Sequence, residues 1–178
     1  MHDISLELAR LHQLTGADFI RQLKLIVTFH EFKMVENGIF SALGEDDADF
    51  QALLNAARKA VAHGYNVYVL PNPKYFRTAD FIFERKGVFK MFDLKTITGK
   101  NSADNRLSES VGQSNRILLN MTIDYNPGTL ARNIKHFFEY NYNAREVLVF
   151  KGQKQISVTR QSLEDGKFFQ TFIRRYTK

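Results

Sequence analysis

The sequence predicts one α/β domain with a helical N-terminal extension, and three observations lead there. Apolar residues recur at three- and four-residue steps up to about residue 63, alternate along short runs between 66 and 96, then switch between the two periods. Gly and Pro punctuate the changes at Gly16, Gly64, Pro71, Pro73, Gly87 and Pro127. The 178 residues are of single-domain size, and a 44% hydrophobic, 25% charged composition belongs to a globular chain rather than a disordered one.

Asp3 is placed to cap a helix over about 4–14, with Ile4, Leu8 and Leu11 on one stripe and Gly16 as its stop. Phe19, Leu23, Ile26 and Val27 extend the helical period, so 17–37 reads mainly as helix. After the acidic turn Gly44-Glu45-Asp46-Asp47, a third helix covers about 48–63, its stripe formed by Phe50, Leu53, Leu54, Ala57 and Val61. Strands follow at 66–70 and 79–84, and Arg85-Lys86-Gly87 turns the chain back as a hairpin into a third strand, 88–96. A short helix over about 102–112, a strand at 115–123, a turn at Asn126-Pro127-Gly128 and a helix over 129–140 come next. Strands at 146–151 and 155–160 and a basic tail with Arg174-Arg175 complete the chain. The expected division is therefore 1–45 as the extension and 46–178 as the domain, in the order helix, three strands, helix, strand, helix, strand.

Sixteen Phe and seven Tyr supply a large aromatic core or surfaces for stacking on bases. The absence of Cys excludes disulfides and thiolate metal sites, so a metal would take carboxylate, carbonyl, imidazole or water ligands. The N-terminus shows no basic segment followed by an apolar one, and charges break every apolar run short of the roughly 20 residues of a membrane helix. A soluble cytoplasmic protein without a membrane partner is the expectation. Residues 1–84 carry 8 Lys/Arg against 11 Asp/Glu, a net of −3, whereas 85–178 carry 17 against 8, a net of +9. A basic half of this kind attracts phosphate-bearing partners such as nucleic acid, though charge alone equally describes a generic basic surface.

The chemistry concentrates in the predicted hairpin. Strand alternation puts Asp80, Ile82 and Glu84 on one face and Asp93 with Lys95 on one face. A hairpin between the two strands would bring Asp80 opposite Asp93, where two carboxylates repel unless a cation lies between them. A hard divalent ion is the natural occupant: Mg2+ or Mn2+, with Zn2+ as a further option. Such an ion acidifies a bound water and stabilises charge on a phosphate, and Lys95 would then contact the water or a phosphate oxygen. The plainer alternative is an ion-pair network on a solvated hairpin face.

Asp80, then twelve residues, then Asp93-Leu94-Lys95 resembles the motif of the PD-(D/E)XK nuclease superfamily, whose common core has the same order of elements. Thr78-Ala79-Asp80, Phe92-Asp93-Leu94-Lys95-Thr96 and Gly112-Gln113-Ser114-Asn115-Arg116-Ile117-Leu118-Leu119 are similar to the C-terminal nuclease domains of bacterial contact-dependent growth-inhibition toxins and their mobile-element relatives. The resemblance covers about 65–160. It implies Asp80 and Asp93 as metal ligands, Lys95 as the catalytic lysine and Gln113 as a site glutamine. It also implies phosphodiester hydrolysis, with structured RNA such as tRNA favoured over DNA, and a possible immunity protein as partner; oligomeric state stays open. Ser110 and Arg106, about one and two helical turns before Gln113, are placed to line the same cleft, and with Lys100, Arg116, Arg132 and Lys135 they are the expected nucleic-acid contacts.

One departure stands out. Superfamily members often draw a glutamate from the helix before the first strand, and 48–63 contains none; Glu31 or Glu36 would have to substitute. Two other readings therefore stay open. One is a metal-independent toxin-type ribonuclease using Lys95, His136 or nearby arginines as acid and base. The other is a non-catalytic nucleic-acid-binding accessory protein. Tyr140 and Tyr142 are expected to pack, with base stacking as the alternative.

Overall fold

The fold, obtained as a computed structural model, describes residues 4–11, 13–29, 32–42, 50–71, 79–112 and 114–178. The acidic turn at 44–47, the caps expected from Asp3, and Glu31, Thr78 and Gln113 lie outside the described residues. The chain divides into two compact units, Met1–Phe92 and Asp93–Lys178, so the expected division after residue 45 falls inside the first. Its charge divides with it. The first unit carries 11 Lys/Arg and 11 Asp/Glu, the second 14 against 8, so the whole net charge of +6 lies in the second.

In the first unit, helices α1 (Ile4–Leu11) and α2 (Gly16–Phe29) bury Leu8, Leu11, Leu23 and Ile26. These pack with Leu70, Ala79, Ile82 and Met91 in one apolar cluster. The sequence predicts helix through residue 37, but the helix ends at Phe29 and the chain turns into β1 (Lys33–Glu36) and β2 (Ile39–Ser41). The signal was Asn37-Gly38, a strong short-range hairpin dipeptide. Gly38 holds φ at +83°, and a Cβ there would meet a Val61 methyl at 3.1 Å, so the turn needs glycine on both counts.

Helix α3 (Phe50–Ala62) buries Phe50, Leu54 and Ala57 of the expected stripe together with Ala56 and Ala60, while Leu53 and Val61 are half-buried. Gly64, at φ +90°, ends it, and Tyr65 N–H reaches back to the Ala60 carbonyl at 3.1 Å, the Schellman arrangement. Strands β3 (Asn66–Val69), β4 (Phe81–Arg85) and β5 (Val88–Ile97) follow as predicted. β2 runs parallel to β3, and the β3–β4 and β4–β5 pairs are antiparallel. Lys86 and Gly87, at φ 53° and 79°, make the two-residue turn whose twist suits adjoining strands. Phe81, Phe83 and Phe92 stack in a tilted row, with centroids 5.5 and 4.9 Å apart, and Tyr65 joins at 5.2 Å from Phe83.

The second unit begins within β5. From Asp93 onward that strand pairs in parallel with β6 (Arg116–Met121), β6 pairs in parallel with β7 (Glu146–Lys151), and β7 pairs antiparallel with β8 (Lys154–Thr159). Helix α4 (Ala103–Glu109) connects β5 to β6, and α5 (Pro127–Tyr140) connects β6 to β7. Asn126-Pro127-Gly128, expected as a turn, is instead a helix start. Asn126 is the N-cap, accepting from Thr129 N–H at 2.9 Å, and Pro127 takes the first turn, where its missing N–H costs nothing.

The expected basic tail is also structured. α6 (Arg160–Glu164) opens with a reciprocal capping box between Thr159 and Ser162, and α7 (Phe168–Thr177) buries Phe168, Phe172 and Tyr176 one helical turn apart. These rings join Ile97, Ala103, Leu107, Ile117, Leu119, Ile134, Phe137, Val147 and Val149 in one core under a single face of the strands. The order α3, β3, β4, β5, α4, β6, α5, β7 is the one the sequence predicts. No helix among the described residues is long and apolar enough to cross a membrane.

Candidate active site

Asp93 and Lys95 stand on β5 two residues apart and so project to the same face. Register fixes which face it is. Asp93 is aligned with Ile117, Lys95 with Leu119 and Ile97 with Met121, and aligned neighbours in a sheet share a face. That is the face carrying the core of α4, α5 and α7. Both charged groups are consequently buried, Asp93 at 2% and Lys95 at 8% exposure. Lys95 Nζ lies 3.5 Å from Asp93 Oδ2. This exceeds the roughly 2.7–2.9 Å of a charge-assisted hydrogen bond, so the two attract as an ion pair across a short gap. In a poorly solvated setting that attraction matters, because each ion alone would carry a large desolvation penalty.

Asp80 lies in the first unit, half-buried, at the bend immediately before β4. Its N–H donates to the Phe92 carbonyl at 3.0 Å, and its carbonyl accepts from Leu70 N–H at 2.9 Å. Its backbone is thus tied to the residue that precedes Asp93 in the chain. Glu36, considered as a substitute ligand, is on strand β1 and not on a helix. Its carboxylate is engaged by Arg58 through Nε at 2.9 and 3.1 Å and through Nη2. The side-chain hydrogen bond from Arg58 holds the Glu36 carboxyl below its ordinary range.

Among the described residues, no group of three or more His, Cys, Asp or Glu is placed to hold a metal ion. That observation concerns protein ligands in groups of three or more. It remains compatible with Mg2+ or Mn2+, since Mg2+ commonly uses one or two carboxylates and completes its shell with water and substrate phosphate. Asp93 offers carboxylate oxygens, the donor type that a hard divalent ion takes.

The remaining predicted residues divide sharply. Ser110 is fully buried and donates its hydroxyl to the Leu107 carbonyl at 2.6 Å, so it closes the end of α4 and does not line a cleft. Arg116 bonds the buried carboxylate of Glu146, whose other oxygen accepts from Ser157 at 2.6 Å; its guanidinium is engaged within the fold. Arg106 pairs with Glu109 at 2.9 Å on the surface of α4. Lys100, Arg132 and Lys135 are exposed, with Arg132 donating to Thr129 Oγ1 at 3.2 Å and Lys135 lying 5.4 Å over the Phe169 ring.

Two features escaped the sequence reading. The Arg116–Glu146–Ser157 ladder spans three strands whose order could not be read before the pairing was known. Tyr142, expected to pack, is 88% exposed, and Tyr140 is 39% exposed with its hydroxyl pKa raised by burial and by nearby Asp104. A loop flanked by Asn141 and Asn143 was the available signal for Tyr142, because loop side chains are where exposure concentrates.

Residues 77–156 match the family model of the contact-dependent growth inhibition CdiA C-terminal domain, a segment that includes Asp80, Asp93 and Lys95. A solved CdiA-CT/CdiI toxin and immunity complex from Burkholderia pseudomallei is similar at 19% identity with a TM-score of 0.43, over 65% of this chain and 89% of the other. No curated protein matches the chain.

Proposed function

We propose that the chain is a toxin-type nuclease that hydrolyses phosphodiester bonds with the help of a divalent metal, with RNA favoured over DNA. The observation that carries this reading is the buried Asp93–Lys95 pair at 3.5 Å, set on one strand of the unit that holds all of the net positive charge. Evolutionary resemblance supports it, since the family match spans the motif residues. The PD-(D/E)XK assignment, Asp80 as second ligand and Gln113 as an accessory group rest on the motif's spacing.

In this scheme Asp93 supplies a carboxylate ligand. Mg2+ or Mn2+, when bound, would acidify a water and stabilise charge developing on the phosphate. Lys95 keeps its ammonium beside that carboxylate and would donate to the attacking water or to a phosphate oxygen. Lys100, Arg132 and Lys135 would hold the polynucleotide backbone, so binding should weaken steeply as salt rises. A cytoplasmic site of action and a cognate immunity protein belong to the same proposal and rest on the motif's resemblance alone.

One observation favours a second reading. His136 Nδ1 lies 3.4 Å from Asp104 Oδ1, an arrangement that orients an imidazole for acid–base work without any metal. EDTA separates the two. Incubation of bulk tRNA with the protein in Mg2+, in Mn2+ and in EDTA should give fragments only with metal; cleavage that persists in EDTA and depends on His136 would move the assignment to the second reading.

A further inference from the structure

The loop between α5 and β7 is fastened at both ends. Asn141 N–H donates to the Phe137 carbonyl at 3.1 Å, and the Asn141 side chain, 7% exposed, accepts from Asn143 N–H at 3.2 Å. Ala144 is buried at 1%, and its N–H returns to the Asn141 carbonyl at 3.1 Å. Arg160 clamps the same turn, donating to the carbonyls of Phe138 at 3.0 Å and Asn141 at 2.5 Å while its guanidinium lies 5.3 Å over the Phe138 ring. Beyond the turn, Arg145 N–H donates to the Asn115 carbonyl at 2.7 Å.

Between these anchors Tyr142 stands 88% exposed, with Arg145 exposed three residues on. A packed Tyr buries roughly 150–250 Å² and stabilises a fold accordingly, so a fastened loop that directs the ring into water forgoes that gain. Its exposure comes from the loop's shape. Position adds a second point. Asp93, Ile117 and Val147 form one row across β5, β6 and β7, and the loop enters β7 at Glu146, one residue before that row. The loop therefore joins β7 at the same end of the parallel strands as Asp93, two strands away, and the row itself spans about 10 Å at the usual inter-strand spacing.

We propose that Tyr142 and Arg145 form a stacking platform for unpaired nucleotides flanking the scissile bond, the ring taking a base face and the guanidinium a phosphate. This rests on the nuclease reading above and gives it a substrate preference. Aromatic stacking needs an accessible base face, which a single strand or loop offers and the interior of a duplex does not.

The test is binding of a labelled single-stranded oligouridylate and of a blunt RNA duplex of equal length, in EDTA so that no metal-dependent cleavage intervenes. Tyr142→Ala should weaken single-strand binding by about 5- to 100-fold, as expected for loss of one stacked base. Tyr142→Phe should restore it, and duplex binding should not change. Single-strand affinity indifferent to Tyr142→Ala, equal losses on duplex and single strand, or no single-strand binding at all would each overturn the platform. The nuclease reading is judged apart, by cleavage with metal added: Tyr142-dependent binding without cleavage sinks that reading alone, and cleavage with Tyr142-independent binding sinks the platform alone.

Discussion

Lys95 Nζ and Asp93 Oδ2 are 3.5 Å apart on one face of β5, and neither side chain is more than 10% exposed. Two opposite charges so placed depend on each other. Asp93→Leu or Lys95→Met alone would leave an uncompensated buried ion and should lower stability by about 3–5 kcal/mol, while the double variant should recover most of the loss. Urea unfolding of the four proteins gives the coupling directly. Additive losses in the double variant would show that the pair does not act as a unit.

The Arg116–Glu146–Ser157 ladder offers an independent check on the second unit. Glu146 is 3% exposed, and its two oxygens are taken by Arg116 and by the Ser157 hydroxyl. Glu146→Ala should cost about 3 kcal/mol, and Ser157→Ala about 1.5 kcal/mol, the usual worth of a hydrogen bond to a charged group. Thermal or urea unfolding that moves by under about 0.5 kcal/mol in both would contradict this packing.

Glu36 carries a pH prediction. Its carboxyl pKa is depressed chiefly by the hydrogen bond from Arg58. A depressed folded-state pKa contributes stability that is present above the ordinary carboxyl pKa and is lost as pH falls through the lowered one. The NMR titration of Glu36 should have its midpoint below that of a free glutamate and should return toward it in Arg58→Ala. An unchanged midpoint in that variant would remove Arg58 as the cause.

Much of the fold was legible because its signals are local. The turn at Lys86-Gly87, the stop at Gly64 and the presence of strands β4 and β5 depend on neighbouring residues alone, and each stands where the sequence put it, although Phe81 to Phe83 and Met91 to Lys95 are buried on both faces and do not alternate. The errors came where local signals competed. The recurrence of Phe19, Leu23, Ile26 and Val27 carried the helical reading past Phe29, and the Asn37-Gly38 hairpin went unread behind it. Pro127-Gly128 reads equally as a turn or as a helix start, and Asn126 decided between them through its capping bond. The tail looked basic because Arg174 and Arg175 dominate its charge, whereas the helical spacing of Phe168, Phe172 and Tyr176 held the structure. That Asp93 and Lys95 share a face was legible from strand alternation. The roles of Arg116 and Ser110 were not, since their partners come from the pairing of β6 with β7 and from the end of α4.

The most direct test of the central claim is cleavage of structured RNA by the purified protein and by its Asp93→Ala and Lys95→Ala variants, with Mg2+ or Mn2+ and with EDTA. Cleavage by the native protein is expected only when metal is present. Lys95→Ala should lose about 10²–10⁴ in rate, as for removal of a positioned acid or base, and Asp93→Ala should lose turnover together with its metal ligand. Asp93→Ala should also lose metal affinity, measured by calorimetry, while Lys95→Ala should retain it. Cleavage unaffected by EDTA and by Asp93→Ala, or no cleavage of RNA or DNA under any of these conditions, would contradict that claim.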